Sequence, residues 1–110
     1  MRTLKFIVDG QILKHDPNCD FSGLVPGTSG YLQAEFTFSS EWNDCIRAVS
    51  FFSSLGAEYE PQPLKKGTTC MIPEEALKRR VFMIQVTGLG PEDKKLKTNK
   101  CVIYQNGGKT

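Results

Sequence analysis

Tyr31 to Phe38 (YLQAEFTF) alternates residue by residue, and no other stretch so tightly limits what this chain can build. Leu32, Ala34, Phe36 and Phe38 fall on one side of an extended backbone; Tyr31, Gln33, Glu35 and Thr37 fall on the other. A period of two belongs to a half-buried strand, whereas an amphipathic helix repeats every 3.6 residues. Val81 to Thr87 (VFMIQVT) repeats the pattern, with Phe82, Ile84 and Val86 predicted inward. Cys45 to Phe52 also reads as a strand. Its two sides, Cys45, Arg47, Val49 and Phe51 against Ile46, Ala48, Ser50 and Phe52, are both mixed, so its orientation stays open.

Turn chemistry punctuates these strands. Leu4 to Val8 is a short apolar run closed by Asp9-Gly10, a hairpin signal, with Gln11 to Leu13 as the returning strand. Lys14 to Gly30 is rich in Asp, Pro, Asn, Ser and Gly and is predicted to be a long loop pinned by Leu24 and Val25. Ser39 to Trp42 breaks the alternation as a turn or a single helical turn. Glu58 to Glu60 is a candidate short strand, while Pro61 and Pro63 argue against a central strand there. Thr68 to Ile72 is a further strand, and Pro73 to Leu77 opens with proline and two acids, as the first turn of a short helix does. Gly88 to Lys95 reads as a loop and Leu96 to Gln105 as the last strand. Six or seven short strands, one short helical turn and no long amphipathic helix predict an all-β chain, an immunoglobulin-like antiparallel β-sandwich. Its 110 residues suit one domain. That domain is expected over residues 1–105, with 106–110 a flexible C-terminal tail.

Charge and cysteines narrow the function. A net charge of +2 is too mild to imply a nucleic-acid or membrane partner. The apolar run after Met1 is too short for a signal-peptide core, and none approaches the roughly 20 residues of a membrane helix. A soluble chain with no export or anchoring segment is expected. Cys19, Cys45, Cys70 and Cys101 are widely spaced, with no Cys-x-x-Cys pair, so reduced and mostly buried thiols are expected. In an oxidising setting they would allow three pairings, among which the sequence does not choose.

Candidate chemistry is sparse. His15 beside Asp16 could be a base with its orienting acid, but sequence neighbours seldom have that geometry, and a solvated loop histidine is the plainer reading. His15, Asp16, Cys19 and Asp20 are the one cluster of ligand-type side chains, without a matching second half for zinc. Asp16 to Asp20 lacks the alternating oxygens of a calcium loop. Glu74 and Glu75 diverge on a helical turn, and read as acids favouring a helix start. Gly88-Leu89-Gly90 hints at a phosphate loop, but Pro91-Glu92-Asp93 puts acids where phosphate would sit. Lys94, Lys95, Lys97 and Lys100, with Lys78, Arg79 and Arg80, would suit phosphate or an acidic partner if they met on the surface. Edge lysines that block sheet pairing are the competing account. The aromatics Phe36, Phe38, Trp42, Phe51, Phe52 and Phe82 suit a core, Trp42 being the ambiguous one. No catalytic, cofactor-binding or metal-binding residue is assigned, and no cofactor is expected.

Three segments, Phe36 to Trp42 (FTFSSEW), Cys70 to Leu77 (CMIPEEAL) followed by Phe82 to Gly88, and Lys97 to Lys100 (KTNK), occur in a suggestive order and spacing. So ordered, the chain resembles small β-sandwich domains of tail and baseplate proteins in phages and prophages of Gram-positive bacteria, in particular the N-terminal domain of baseplate upper proteins. Phe6 to Gly10 and Asp16 to Asp20 fit the same resemblance, which spans roughly Leu4 to Gln105. It implies structural roles: Trp42 plugging one end of the sandwich, Leu77 capping the other, and Thr98-Asn99 beginning the final strand. It implies no catalytic residues. Baseplate proteins are usually longer, so a tail, baseplate, head-decoration or accessory place is equally compatible. The expectation is a non-enzymatic virion part acting through protein–protein contacts with other virion or prophage proteins, or as a homo-oligomer. No nucleic-acid, membrane or small-molecule partner is expected. Assembly would take place in the bacterial cytoplasm and the product would reside in the virion. The alternative is a small carbohydrate-binding module for cell-surface sugar, with Trp42 and Tyr31 or Tyr104 exposed and coplanar.

Overall fold

A computed structural model describes residues 1–105; the predicted tail, 106–110, lies outside the described residues. In chain order the elements are β1 (Arg2–Asp9), β2 (Ile12–His15), β3 (Leu32–Phe38), a 3₁₀ turn (Ser40–Trp42), β4 (Ile46–Ser53), β5 (Gln62–Pro63), β6 (Thr69–Met71), α1 (Glu74–Leu77), β7 (Val81–Leu89), β8 (Lys95–Lys97) and β9 (Cys101–Tyr104). They form two sheets packed face to face. The first runs β2-β1-β3-β6; the second runs β5-β4-β7, with β8 and β9 pairing in succession along the far edge of β7. The expected all-β sandwich is present.

Alternation sets which side chains go in. Leu4, Phe6 and Val8 of β1 pack with Leu32, Ala34 and Phe36 of β3 against Val49 and Phe51 of β4, Phe82, Ile84 and Val86 of β7, and Ile103 of β9. Each Val, Leu, Ile or Phe side chain of this row, fully buried, is worth about 1.5–3 kcal/mol, so the shared row dominates folding. Asp9-Gly10 does turn the chain: Gly10 has φ of 60°, a left-handed conformation that glycine adopts without strain, and β1 and β2 pair antiparallel across it.

Several local expectations need correction. β1 and β3 are parallel (Leu4 opposite Ala34, Phe6 opposite Phe36), so the sandwich is not wholly antiparallel. A parallel pair needs a crossover, supplied here by β2 and the loop after it. Lys14 and His15 belong to β2 rather than the loop, because Ile7 and Phe6 offer them backbone partners. Glu58 makes a single bridge to Phe52, not a strand over 58–60, and the strand in that region is Gln62–Pro63, at a sheet edge where proline is tolerated. The last strand is two. Thr98, Asn99 and Lys100 interrupt it, because the Thr98 hydroxyl accepts the Val86 N–H (3.0 Å) and the chain bends to leave Asn99 facing β2.

Candidate functional site

The residues singled out for chemistry are mostly engaged in holding the fold. His15 is half-buried, stacked on Phe21 (4.1 Å between ring centres, 15° between planes) and edge-on to Phe6. Its Nε2, in the tautomer that carries the proton there, donates to the Val102 carbonyl at 3.1 Å. It is therefore not a solvated loop histidine. Asp16 instead accepts the Asn18 N–H, and Asp20 accepts the Ser22 N–H and hydroxyl; the Ser22 hydroxyl bond holds the Asp20 carboxyl below its usual range. Among the described residues no three His, Cys, Asp or Glu side chains group as metal ligands, and no helix is long and apolar enough to cross a membrane. Glu74 and Glu75 lie in the single turn α1, with no intervening cleft between them. All four cysteines are free. Burial pushes the Cys70 thiol up to about 12 and that of Cys101 up to about 11, which makes both poor nucleophiles at neutral pH.

Trp42 is 0% exposed, and its indole N–H donates to the Gly10 carbonyl at 2.7 Å. The indole lies across Gly88, where a Cβ would come within 2.7 Å of the ring. Gly88 therefore makes room for a plug rather than cradling a phosphate. Arg47, which the sequence did not mark, locks the same end. Its guanidinium lies 4.1 Å over Phe38 and donates to the Trp42 and Gly67 carbonyls. The amide of Asn99 acts as one residue of a missing strand: Oδ1 accepts the Leu13 N–H at 2.7 Å and Nδ2 donates to the Leu13 carbonyl at 3.2 Å. Gln11 donates to the Lys97 carbonyl beside it, so the β2 edge is sealed against the second sheet. At the β6 edge, backbone bonds between Lys65 and Thr69 cover the first residue of the strand.

The solvent side of β4 and β7 pairs Ile46 with Leu89, Ala48 with Thr87, Ser50 with Gln85 and Phe52 with Met83. Ile46 is 81% exposed, Leu89 55% and Tyr104, at the far end of the face, 60%. Between these apolar ends lies a recess of about 320 Å³ lined by Ser50, Phe52, Glu58, Gln85, Thr87, Lys97 and Lys100. Phe52 lies in this face, outside the core cluster, under the Lys100 ammonium at 4.1 Å from its ring centre.

No family model, curated protein or solved structure matches this chain.

The basic residues divide into separate groups. Lys97 and Lys100 share the recess on the second sheet. Lys78 and Arg79 line a different hollow with Tyr59 and Glu75. Lys94 is committed to Asp44 at 2.9 Å and to the Glu41 carbonyl; the Lys94 ammonium holds the Asp44 carboxyl below its usual range. The exposed tyrosines also separate, Tyr31 preceding β3 of the first sheet and Tyr104 ending β9 of the second. With Trp42 buried, the simplest sugar platform, a coplanar Trp42 and tyrosine, is not built. The recess escaped sequence reading because its members come from β4, the segment between β4 and β5, β7, β8 and the bend after β8. The one available signal was the outward apolar set Ile46, Ala48 and Phe52, which the mixed faces of β4 concealed.

Proposed function

We propose that the chain is a non-enzymatic structural or assembly component of a phage or prophage virion, acting through protein–protein contacts. The observation that carries this reading is the solvent face of the second sheet, where Ile46, Leu89 and Tyr104 stay exposed, while on the first sheet the β2 edge is covered against strand addition. The resemblance to baseplate sandwich domains supports it through Trp42 and Leu77, both buried as end pieces of the sandwich would be, whereas the final strand begins at Cys101 and not at Thr98-Asn99. A part that works by fitting between neighbours needs a rigid body and an exposed face, and both are accounted for without a reacting group.

The test is composition. Particles induced from the source bacterium and purified on a density gradient are expected to contain the chain at a fixed copy number by quantitative mass spectrometry. A chain that is expressed in the induced cells and absent from the particles overturns the reading.

A further inference from the structure

We propose that the recess on the second sheet receives a carboxylate side chain from an acidic, apolar-flanked segment of a partner protein. This rests on the reading of the chain as a contact-making part and names the chemistry of what it contacts. Lys97 and Lys100 place two ammonium groups at the recess, and Glu58 offsets one of them. The net single positive charge suits one carboxylate better than a doubly charged phosphate. Lys100 is already positioned, since its ammonium rests over Phe52. Ser50 and Thr87 add hydroxyl donors from neighbouring strands. Such a pre-placed set needs little reordering to accept an anion.

The surroundings decide between kinds of partner. Along the strands the recess is bounded at one end by Ile46 and Leu89, with Lys95 opposite Leu89, and at the other by Met83, Val102 and Tyr104. A ligand filling the face must be anionic at its centre and also carry apolar groups for Ile46, Leu89 and Tyr104, as a protein segment does and an acidic polysaccharide does not. A second copy docked face to face with the two-fold axis through the recess would bring Lys97 and Lys100 against their own counterparts, so charge disfavours that self-pairing.

The experiment is a titration of the ¹⁵N-labelled full chain, followed by NMR, with three probes: a capped heptapeptide alternating glutamate and leucine, its glutamine counterpart, and oligogalacturonate. The expected result is shift changes concentrated at Ser50, Gln85, Thr87, Lys97 and Lys100, with the glutamine peptide binding about tenfold or more weakly. Lys97→Gln with Lys100→Gln should weaken the glutamate peptide by a similar factor, while Lys5→Gln with Lys14→Gln, on the other sheet, should leave it unchanged. Amide spectra of both variants check that the fold persists. Equal binding of the two peptides, equal loss in both double variants, or tighter binding of oligogalacturonate overturns the proposal. Its failure is separable from that of the virion reading. A chain found in particles without carboxylate preference sinks only this proposal, and a chain that prefers the glutamate peptide but is missing from particles sinks only the other.

Discussion

On the outside of β1 and β3, Thr3 stands beside Gln33, Lys5 beside Glu35 and Ile7 beside Thr37, with Lys14 and the exposed Ile12 of β2 on one flank and the exposed Met71 of β6 on the other. On the outside of β4 and β7 the corresponding places hold Ile46 beside Leu89, Ala48 beside Thr87 and Phe52 beside Met83, with lysines only along one side. The inward rows of the two sheets are alike in kind, and each even buries one thiol, Cys70 in the first and Cys101 in the second. Folding therefore explains what the two sheets share. It does not explain why the second sheet sets Ile46, Leu89 and Tyr104 around a lysine-lined recess while the first leaves single apolar side chains beside polar ones, Ile12 by Asp9 and Met71 by Gln33, and that difference is where function is to be sought.

If both inward rows belong to one core, truncating either should cost alike. Phe36→Ala and Phe82→Ala are each expected to lose about 3–5 kcal/mol in urea unfolding, both rings being fully buried. A cost below about 1 kcal/mol for one of them would mean that the sheets do not share a core, and the comparison would lose its footing. A smaller effect should come from the seam. Asn99→Ala leaves the Leu13 N–H and carbonyl without their partner, an expected loss of about 1–3 kcal/mol by thermal or urea unfolding, with faster amide exchange confined to β2 and β9. Unchanged exchange at Leu13 would show that the two sheets are not stitched there. The smallest effect belongs to the outer faces. Ile46→Thr with Leu89→Thr, and Thr3→Ala with Gln33→Ala, should each stay within about 0.5 kcal/mol per site. A markedly larger loss for the first pair would assign those apolar side chains to stability and remove the contrast.

The parts legible in sequence were those governed by local periodicity and turn chemistry. β3 and β7 carry their inward sets as the alternation predicts, Phe38 being half-buried at the strand end, and Asp9-Gly10 and Pro73 mark a turn and a helix start where expected. What stayed hidden depends on partners distant in sequence. The parallel pairing of β1 with β3 has no local signature. The division of the last strand follows from Thr98 replacing a backbone partner of Val86, and the side chain of Asn99 reaches a residue 86 positions away. β4 stayed ambiguous for a different reason. Phe51 and Phe52 are both buried on opposite faces, one by the core and the other by Lys100 and its neighbours, so hydrophobicity alone could not say which side was inward. The recess inherited that ambiguity, since its floor is the second of those rings.

The Asn99 seam also has a consequence for biosynthesis. The β1–β2 hairpin leaves the ribosome well before the side chains and carbonyls that cover its outer strand, at Lys97, Asn99 and Val102, which follow 86 or 87 residues later. Until then β2 is an open strand edge on a nascent polypeptide, of the kind that pairs with neighbours on the same messenger. Sealing it is a late, long-range closure and is intrinsically slow. Lys14, at the centre of that strand and exposed, is the charge that guards the edge in the interval.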